Sequence, residues 1–470
     1  MHLKAYLIIY VTIAASINVY AKTFRIGTNE TYLSPNALYL ADTLNDGDTI
    51  IIEAKDYKGN EALAVWKNNN LFIQGEGQGP HLIADGEYIR GKGIWVFAGN
   101  DITVSNIEFS GAVVPDMNGA GIRLDGIGMT AIDCFFHDNE NGILTSNPDA
   151  GIITIESCEF DNNGFGDGFS HNLYIGRVDK LIFKYNYSHH TKIGHNLKSR
   201  AKVNIILYNR IMDEASGNSS RLIDLSNGGF ALIMGNVLMQ GPMAENGNLI
   251  GYGLEGLNNS GPHEFYCINN TMVNKRGGNV IFFDLNPDAD FTNVSNNLIG
   301  GNGALNLENT VIANNNLLDN VIENFNFEND VDYNYKVTEN SLGIDSGTAL
   351  DSIYGYTLTP QYNYLHPASF EERNIYNGRI DVGAYEYENT NDIKQEESNF
   401  ISIFPNPTSG PLYIKTADKE IDWIAIFDSY GRRVSARFKN NVSHLPSGYY
   451  MILFEYENNN YTYPIFIQKD

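Results

Sequence analysis

The chain has 470 residues, with 56 acidic against 31 basic side chains and a formal net charge of −25. That imbalance repels phosphates, so it argues against a nucleic-acid partner and for a soluble chain, expected to be a monomer. Three cysteines make no disulfide scaffold, and a chain several times longer than one ordinary core predicts an elongated fold or two domains.

Residues 1–21 carry one lysine, Lys4, then the apolar run AYLIIYVTIAASI and a small-residue close at Val19-Tyr20-Ala21. The run is too short for a membrane span and a cleavage pattern follows it, which predicts a secretory signal peptide. No later stretch approaches the ~18 apolar residues of a membrane helix, so no transmembrane helix is expected.

Residues 34–54 read SPNALYLADTLNDGDTIIIEA, with Ser34-Pro35 placed to open a short helix. Beyond them a phrase recurs: β-type residues, then Asn or Cys, then more apolar residues. It is seen at Asn106, Cys134, Cys158, Asn186, Asn209, Asn236, Asn270, Asn297 and Asn316, mostly at intervals of 23 to 28 residues. Strands at a fixed period with Gly/Asn turns predict a solenoid. The asparagine column is explained by the fold, as interior amides bonded along the axis. Cys134 and Cys158 share the column and either pair or remain buried thiols, the second being preferred.

On these motifs residues 22–390 resemble the right-handed parallel β-helix superfamily, with 34–54 similar to its N-terminal cap. GIDSGTAL (343–350) and GRIDVGAYEYE (378–388) resemble the usual ending of the coil in bacterial β-helix proteins. A polar linker, 391–399, follows. In residues 400–470, FPNPTSG, IAIFDSYGRR and HLPSGYYMILF resemble, in order and spacing, the C-terminal sorting domain of type IX secretion. That resemblance implies a small β-sandwich characteristic of the Bacteroidota, the type IX machinery as partner, and release or anchoring at the cell surface. The fold class expected is thus all-β, a solenoid followed by a small sandwich.

The triplet His-Asn-Leu occurs twice, at 171–173 and 195–197. Aligning AGIRLDG (120–126), NGILTSN (141–147), HNLYIGR (171–177), HNLKSRA (195–201), RLIDLSN (221–227) and NLIGYGL (248–254) gives one strand per coil. Ile122, Ile143, Leu173, Leu197, Ile223 and Ile250 then face inward, and Arg123, Leu144, Tyr174, Lys198, Asp224 and Gly251 outward. His171, His195 and Arg221 sit where the chain enters the strand. Residues 171–221 hold nine of the 31 Lys/Arg, four of the ten His and three acids. A basic strip on an acidic solenoid suits an anionic polymer, although charges merely solvated on a face give the same count.

Parallel β-helices that bind such polymers are often polysaccharide lyases. Elimination from a uronate needs a neutralised carboxylate, a base for the C5 proton and an acid for the leaving oxygen. The candidate catalytic residues are Lys198, His195, Arg221, His171 and Tyr174, outward and exposed. Arg200, Arg123, Asn172, Asn196, Asp224 and His190 are candidates for substrate binding. Lys198 followed one coil later by Arg221 resembles the alginate lyase and chondroitinase B family, whose base is a lysine. That family would imply Ca²⁺, but its acidic ligands before the lysine are replaced here by Thr191, Lys192 and Ile193. The sequence therefore fixes no cofactor, with Ca²⁺ the one cation to consider. A glycoside hydrolase, a uronan epimerase and a non-catalytic carbohydrate-binding adhesin remain alternatives. The carboxylates near the strip are Asp125, Asp224 and Glu245 or Glu255, with no close Asp–Asp pair.

Overall fold

The computed structural model describes residues 21–388 apart from 308–310 and 377, and parts of 402–469. The expected signal peptide up to residue 20 and the linker 391–399 lie outside the described residues. The chain divides into two compact units, Met1–Glu388 and Asn389–Asp470.

The first unit is a parallel β-solenoid of about 10 turns. Each turn gives one strand to each of three parallel sheets: Lys180–Lys184 to sheet I, Tyr187–His189 to sheet III, His195–Ser199 to sheet II, after which Val203–Leu207 opens the next turn on sheet I. Sheet I runs from Thr23–Ile26 to Ile312–Asn314, sheet II from Ala64–Trp66 to Ile281–Leu285, and sheet III from Asp56–Lys58 to Leu317–Asp319. Strands of three to five residues cannot bury a face alone, and each is held by stacking on the turn beside it. The inward sheet II column pairs Ile122 with Ile143, Ile143 with Leu173, Leu197 with Ile223 and Ile223 with Ile250, all fully buried. Below sheet III, Phe109, Phe136 and Phe160 stack with ring centroids 5.0 Å apart.

Sheets I and III meet at a corner of one residue in the left-handed region, among them Asp133 (φ 52°), Ser157 (52°), Tyr185 (62°), Tyr208 (56°) and Asn269 (50°). The residue after each points inward. From Asn186 to Asn316 these inward residues form the expected ladder: each Oδ1 accepts the backbone N–H of the member one turn before at 2.8–3.0 Å. Each Nδ2 donates to the next Oδ1 at 2.9–3.0 Å. Cys134 and Cys158 extend the column as free, buried thiols. Asn106 does not belong to it. Ile132 pairs with Ser105, so Asn106 occupies the left-handed corner (φ 54°) and Ile107 fills the interior position. Asparagine tolerates that backbone better than most residues, which is why corner and ladder read alike in the sequence.

Ser34 caps the helix Pro35–Ala41, its hydroxyl accepting the Ala37 N–H at 3.2 Å. At the other end the phrases 343–350 and 378–388 do more than close the coil. The Gly347 N–H donates to Ile380 O at 2.8 Å, and the buried Arg373–Glu386 ion pair closes at 2.8 Å. The segment then lies back along the left-handed corner. Asn269 and Asn296 donate from their side chains to Asp381 O and Thr348 O, and the Gln361 N–H donates to the Tyr208 hydroxyl.

The second unit has a three-stranded and a four-stranded antiparallel sheet and its own buried cluster, including Ile426, Ile452 and Ile465. No helix among the described residues is long and apolar enough to cross a membrane.

Candidate active site on the second sheet

Pairing across sheet II sets Arg123 beside Leu144, Leu144 beside Tyr174, Tyr174 beside Lys198 and Lys198 beside Asp224. His195 pairs with Arg221 on the next turn. The outward column is therefore continuous, but outward is not exposed. Lys198 is 8 % exposed, His195 5 %, and His171 and Asp224 2 % each, which corrects the expectation of open side chains. They cover one another, and Glu255 reaches over them from the loop after Asn248–Tyr252.

The Lys198 ammonium donates to Asp224 at 3.1 Å and to Glu255 at 2.7 Å. Arg200 donates to the Tyr174 hydroxyl and to Asn227, both at 2.8 Å, and its third nitrogen reaches Glu255. Ser226 donates to Asp224 at 2.7 Å. Two carboxylates thus meet at one lysine, although the sequence shows no close acidic pair. Burial alone would push the Glu255 carboxyl up, but hydrogen bonds from Lys198 and Arg200, with their charges, hold it below its ordinary value.

His171 and His195 are held in the neutral form. Burial first, then the charges of His195 and Lys198, carries His171 well below its ordinary value; burial, Lys198 and Arg221 do the same for His195. Their tautomers follow from hydrogen bonding. His171 Nδ1 accepts the His195 backbone N–H at 3.0 Å, and His195 Nδ1 lies 3.2 Å from the same atom. His195 therefore carries its proton on Nδ1, leaving the Nε2 lone pair toward the Arg221 guanidinium at 3.4 Å. Beside it, Arg221 Nε and Asp224 Oδ1 are buried without a hydrogen-bond partner among the described residues. Such atoms cost about 1–3 kcal/mol each, more when charged, so this site has unmet bonding capacity.

A cleft of about 450 Å³ adjoins the cluster on the N-terminal side, with Arg123, Leu144 and Tyr174 as its floor and Asn118, Asn147 and Phe169 in its wall. Phe169 is 83 % exposed there. Arg123 is held at 3.0 Å by Asp125.

Three expectations are corrected. Asn172 and Asn196 are fully buried and make a second interior ladder with Asn139 and Asn163, so no polymer reaches them. His190 belongs to the turn after the sheet III strand Tyr187–His189, where it pairs with Asp161 at 2.9 Å and Glu214 at 3.3 Å. The basic window winds around all three sheets: Lys180 and Lys184 lie on sheet I and Arg210 on sheet III. Only Lys198, Arg200 and Arg221 converge, and Asp224 and Glu255 offset them. Glu255 and the cleft wall carried little sequence signal, because they come from loops outside the period. The second ladder had one, in the Asn139 and Asn163 that close successive sheet III phrases.

The positions before Lys198 do not fit a calcium site. Thr191 is buried with its hydroxyl donating to Asn196, and its neighbours are a lysine and an isoleucine.

No curated protein sequence matches the chain. Among solved structures, the crystal structure of pectate lyase Pel9A is similar at a TM-score of 0.49 and 12 % identity, over 79 % of this chain and 98 % of that one. Residues 402–468 match the model of the secretion system C-terminal sorting domain. The protein is accordingly a parallel β-solenoid carrying a C-terminal sorting domain, which directs it by type IX secretion to the cell surface or the extracellular space.

Proposed function

We propose that the protein is a secreted polysaccharide lyase that cleaves a uronic-acid polymer by β-elimination, with residues 1–21 as its export leader. One observation carries the reading: a cleft with an aromatic wall and amide side chains reaches Tyr174, whose hydroxyl is bonded to Arg200, and beside it Glu255 occupies a carboxylate seat on Lys198 and Arg200. A uronate carboxylate entering there replaces Glu255 on Lys198 and Arg200, and that neutralisation acidifies the C5 proton.

Of the two candidate bases, His195 is favoured over Lys198. Lys198 is taken up by two carboxylates, whereas His195 is a neutral imidazole whose Nε2 makes its one hydrogen bond among the described residues with Arg221, Asp224 Oδ2 lying farther off at 3.8 Å. When Arg221 turns to the substrate carboxylate, the Nε2 lone pair is bared to take the C5 proton. Tyr174 is the acid: Arg200 donates to its oxygen, so its own proton points away toward the leaving glycosidic oxygen. His171 touches no substrate and is a positioning residue, fixing the His195 tautomer.

A hydrolase is the second reading, favoured by the meeting of Asp224 and Glu255 at Lys198. The test is to incubate the protein with alginate, pectate, chondroitin, hyaluronan and glucuronan. Ultraviolet absorbance of an unsaturated product is expected with one of them, lowered about 10²–10⁴-fold in kcat by Tyr174→Phe and by His195→Ala. New reducing ends without that absorbance would replace the lyase by the hydrolase, and binding without products would leave an adhesin.

A further inference from the structure

Sheet III carries a second group of chemically able side chains that the proposed reaction does not use. His81, Glu108 and His137 lie outward on three successive turns, His81 pairing with Glu108 and His137 with Ser110. His137 Nε2 lies 2.9 Å from Glu108 Oε1, and His81 Nε2 lies 3.5 Å from the same oxygen while hydrogen-bonded to the Ser110 hydroxyl at 2.7 Å. The three potential ligand atoms all lie within 4.8 Å of one another. Each imidazole has a carboxylate behind its other nitrogen: Asp138 at 2.9 Å from His137 Nδ1, and Asp56 at 4.0 Å from His81 Nδ1.

The solenoid does not need this arrangement, because Leu82, Phe109 and Phe136 fill the interior below it. Two imidazoles and a carboxylate converging this closely can surround an ion about 2.0–2.2 Å from each. A carboxylate behind the imidazole is what orients and strengthens a metal-binding histidine. Glu108 also lines an open cleft of about 270 Å³ beside the group.

We propose that His81, Glu108 and His137 form a binding site for one divalent transition metal of the Zn²⁺ class. Two nitrogen donors select such an ion over Ca²⁺ or Mg²⁺, which prefer all-oxygen sites. A bound ion ties three consecutive turns together on the face of sheet III. The nearby group Asp161–His189–His190 also brings ligand atoms together. There His189 is buried and stacked on Tyr187 at 3.8 Å, and the outer nitrogens are closed off by Glu159 and Glu214. It therefore serves as the internal control.

The experiment uses the purified full chain, stripped with a chelator and titrated with ZnCl₂ by calorimetry, with Co²⁺ absorption as the reporter of coordination. One Zn²⁺ per chain is expected, and no displacement by Ca²⁺. His81→Ala and His137→Ala should each weaken binding by more than about tenfold and remove the Co²⁺ band. Asp138→Asn, which keeps all three ligands, should weaken it about 10–100-fold, and His189→Ala should leave it unchanged. Circular dichroism checks that each variant is folded, and Glu108→Gln, close in shape to the native residue, should repeat the loss should either histidine variant fail to fold. No uptake of Zn²⁺ by the native chain, uptake unchanged in both His81→Ala and His137→Ala, or loss in His189→Ala instead would each overturn the site.

Discussion

The left-handed corner and the outward face of sheet II share one coil period and use it in opposite ways. In the ladder just inside the corner the same amide recurs on six turns, from Asn186 to Asn316, and every member bonds to the next. On sheet II the outward positions of six turns hold Arg123, Leu144, Tyr174, Lys198, Asp224 and Gly251, with no residue type repeated. A side chain that recurs at the period is explained by stacking alone. One that breaks the period must be explained by what it touches, and here it touches a charged cluster with bonding capacity to spare.

Lys198→Ala puts this contrast under the greatest strain. Asp224 is 2 % exposed, so removing Lys198 leaves a buried carboxylate with Ser226 and the more distant Arg221, at 3.9 Å, as its partners, and a loss of about 3 kcal/mol is expected in urea unfolding. A loss under about 1 kcal/mol would mean the cluster is solvated and the face ordinary.

Asn236→Ala tests the ladder. It strands the Asn209 backbone N–H and side-chain amide and the Ile206 carbonyl. Buried polar groups left without partners cost about 1–3 kcal/mol each, and partial relaxation brings the expected loss to roughly 3 kcal/mol. Activity per folded molecule should not change, and a specific loss of activity would show that the ladder reaches the chemistry.

Glu255→Gln should shift stability little. By the proposed seat-sharing it should tighten uronate binding by up to about tenfold, or about 1.4 kcal/mol, read as a lower KM. A raised KM would make Glu255 a substrate ligand instead.

The mildest expected effect is in pH. Hydrogen bonds to Asp161 and Glu214 raise His190 from 6.5 to about 9. A raised group contributes stability that is complete below the unfolded value and lost as pH climbs through the folded one. Stability should therefore fall between about pH 6.5 and 9 by on the order of 1 kcal/mol, and His190→Gln should flatten that slope. An equal slope in the variant would assign it elsewhere.

The legible parts of the fold were those tied to the period. The doubled His-Asn-Leu set the sheet II register, and the recurring Asn phrase located the interior ladder, because both are consequences of stacking. Misreadings arose where one residue type serves two positions. Asn106 sits at the corner rather than in the ladder, one residue away, and Asn172 and Asn196 turn inward because Asn139 and Asn163 offer them an interior partner. Exposure was misjudged at Lys198 and His195 because alternation gives a direction and not a covering. At Lys198 that covering is Glu255, 57 residues away in a loop that no periodic pattern reports, and at His195 it is His171, Arg221 and Asp224.

The return of residues 343–388 along the left-handed corner changes how the solenoid comes apart. In a stack whose turns touch only their neighbours, an end can fray without disturbing the middle. Here the last segment reaches Asn269, Asn296 and, 153 residues back, Tyr208. The final turns therefore cannot peel away until that segment is released. The zipper becomes a clasp, and unfolding of the solenoid is expected to begin with the segment that closes it.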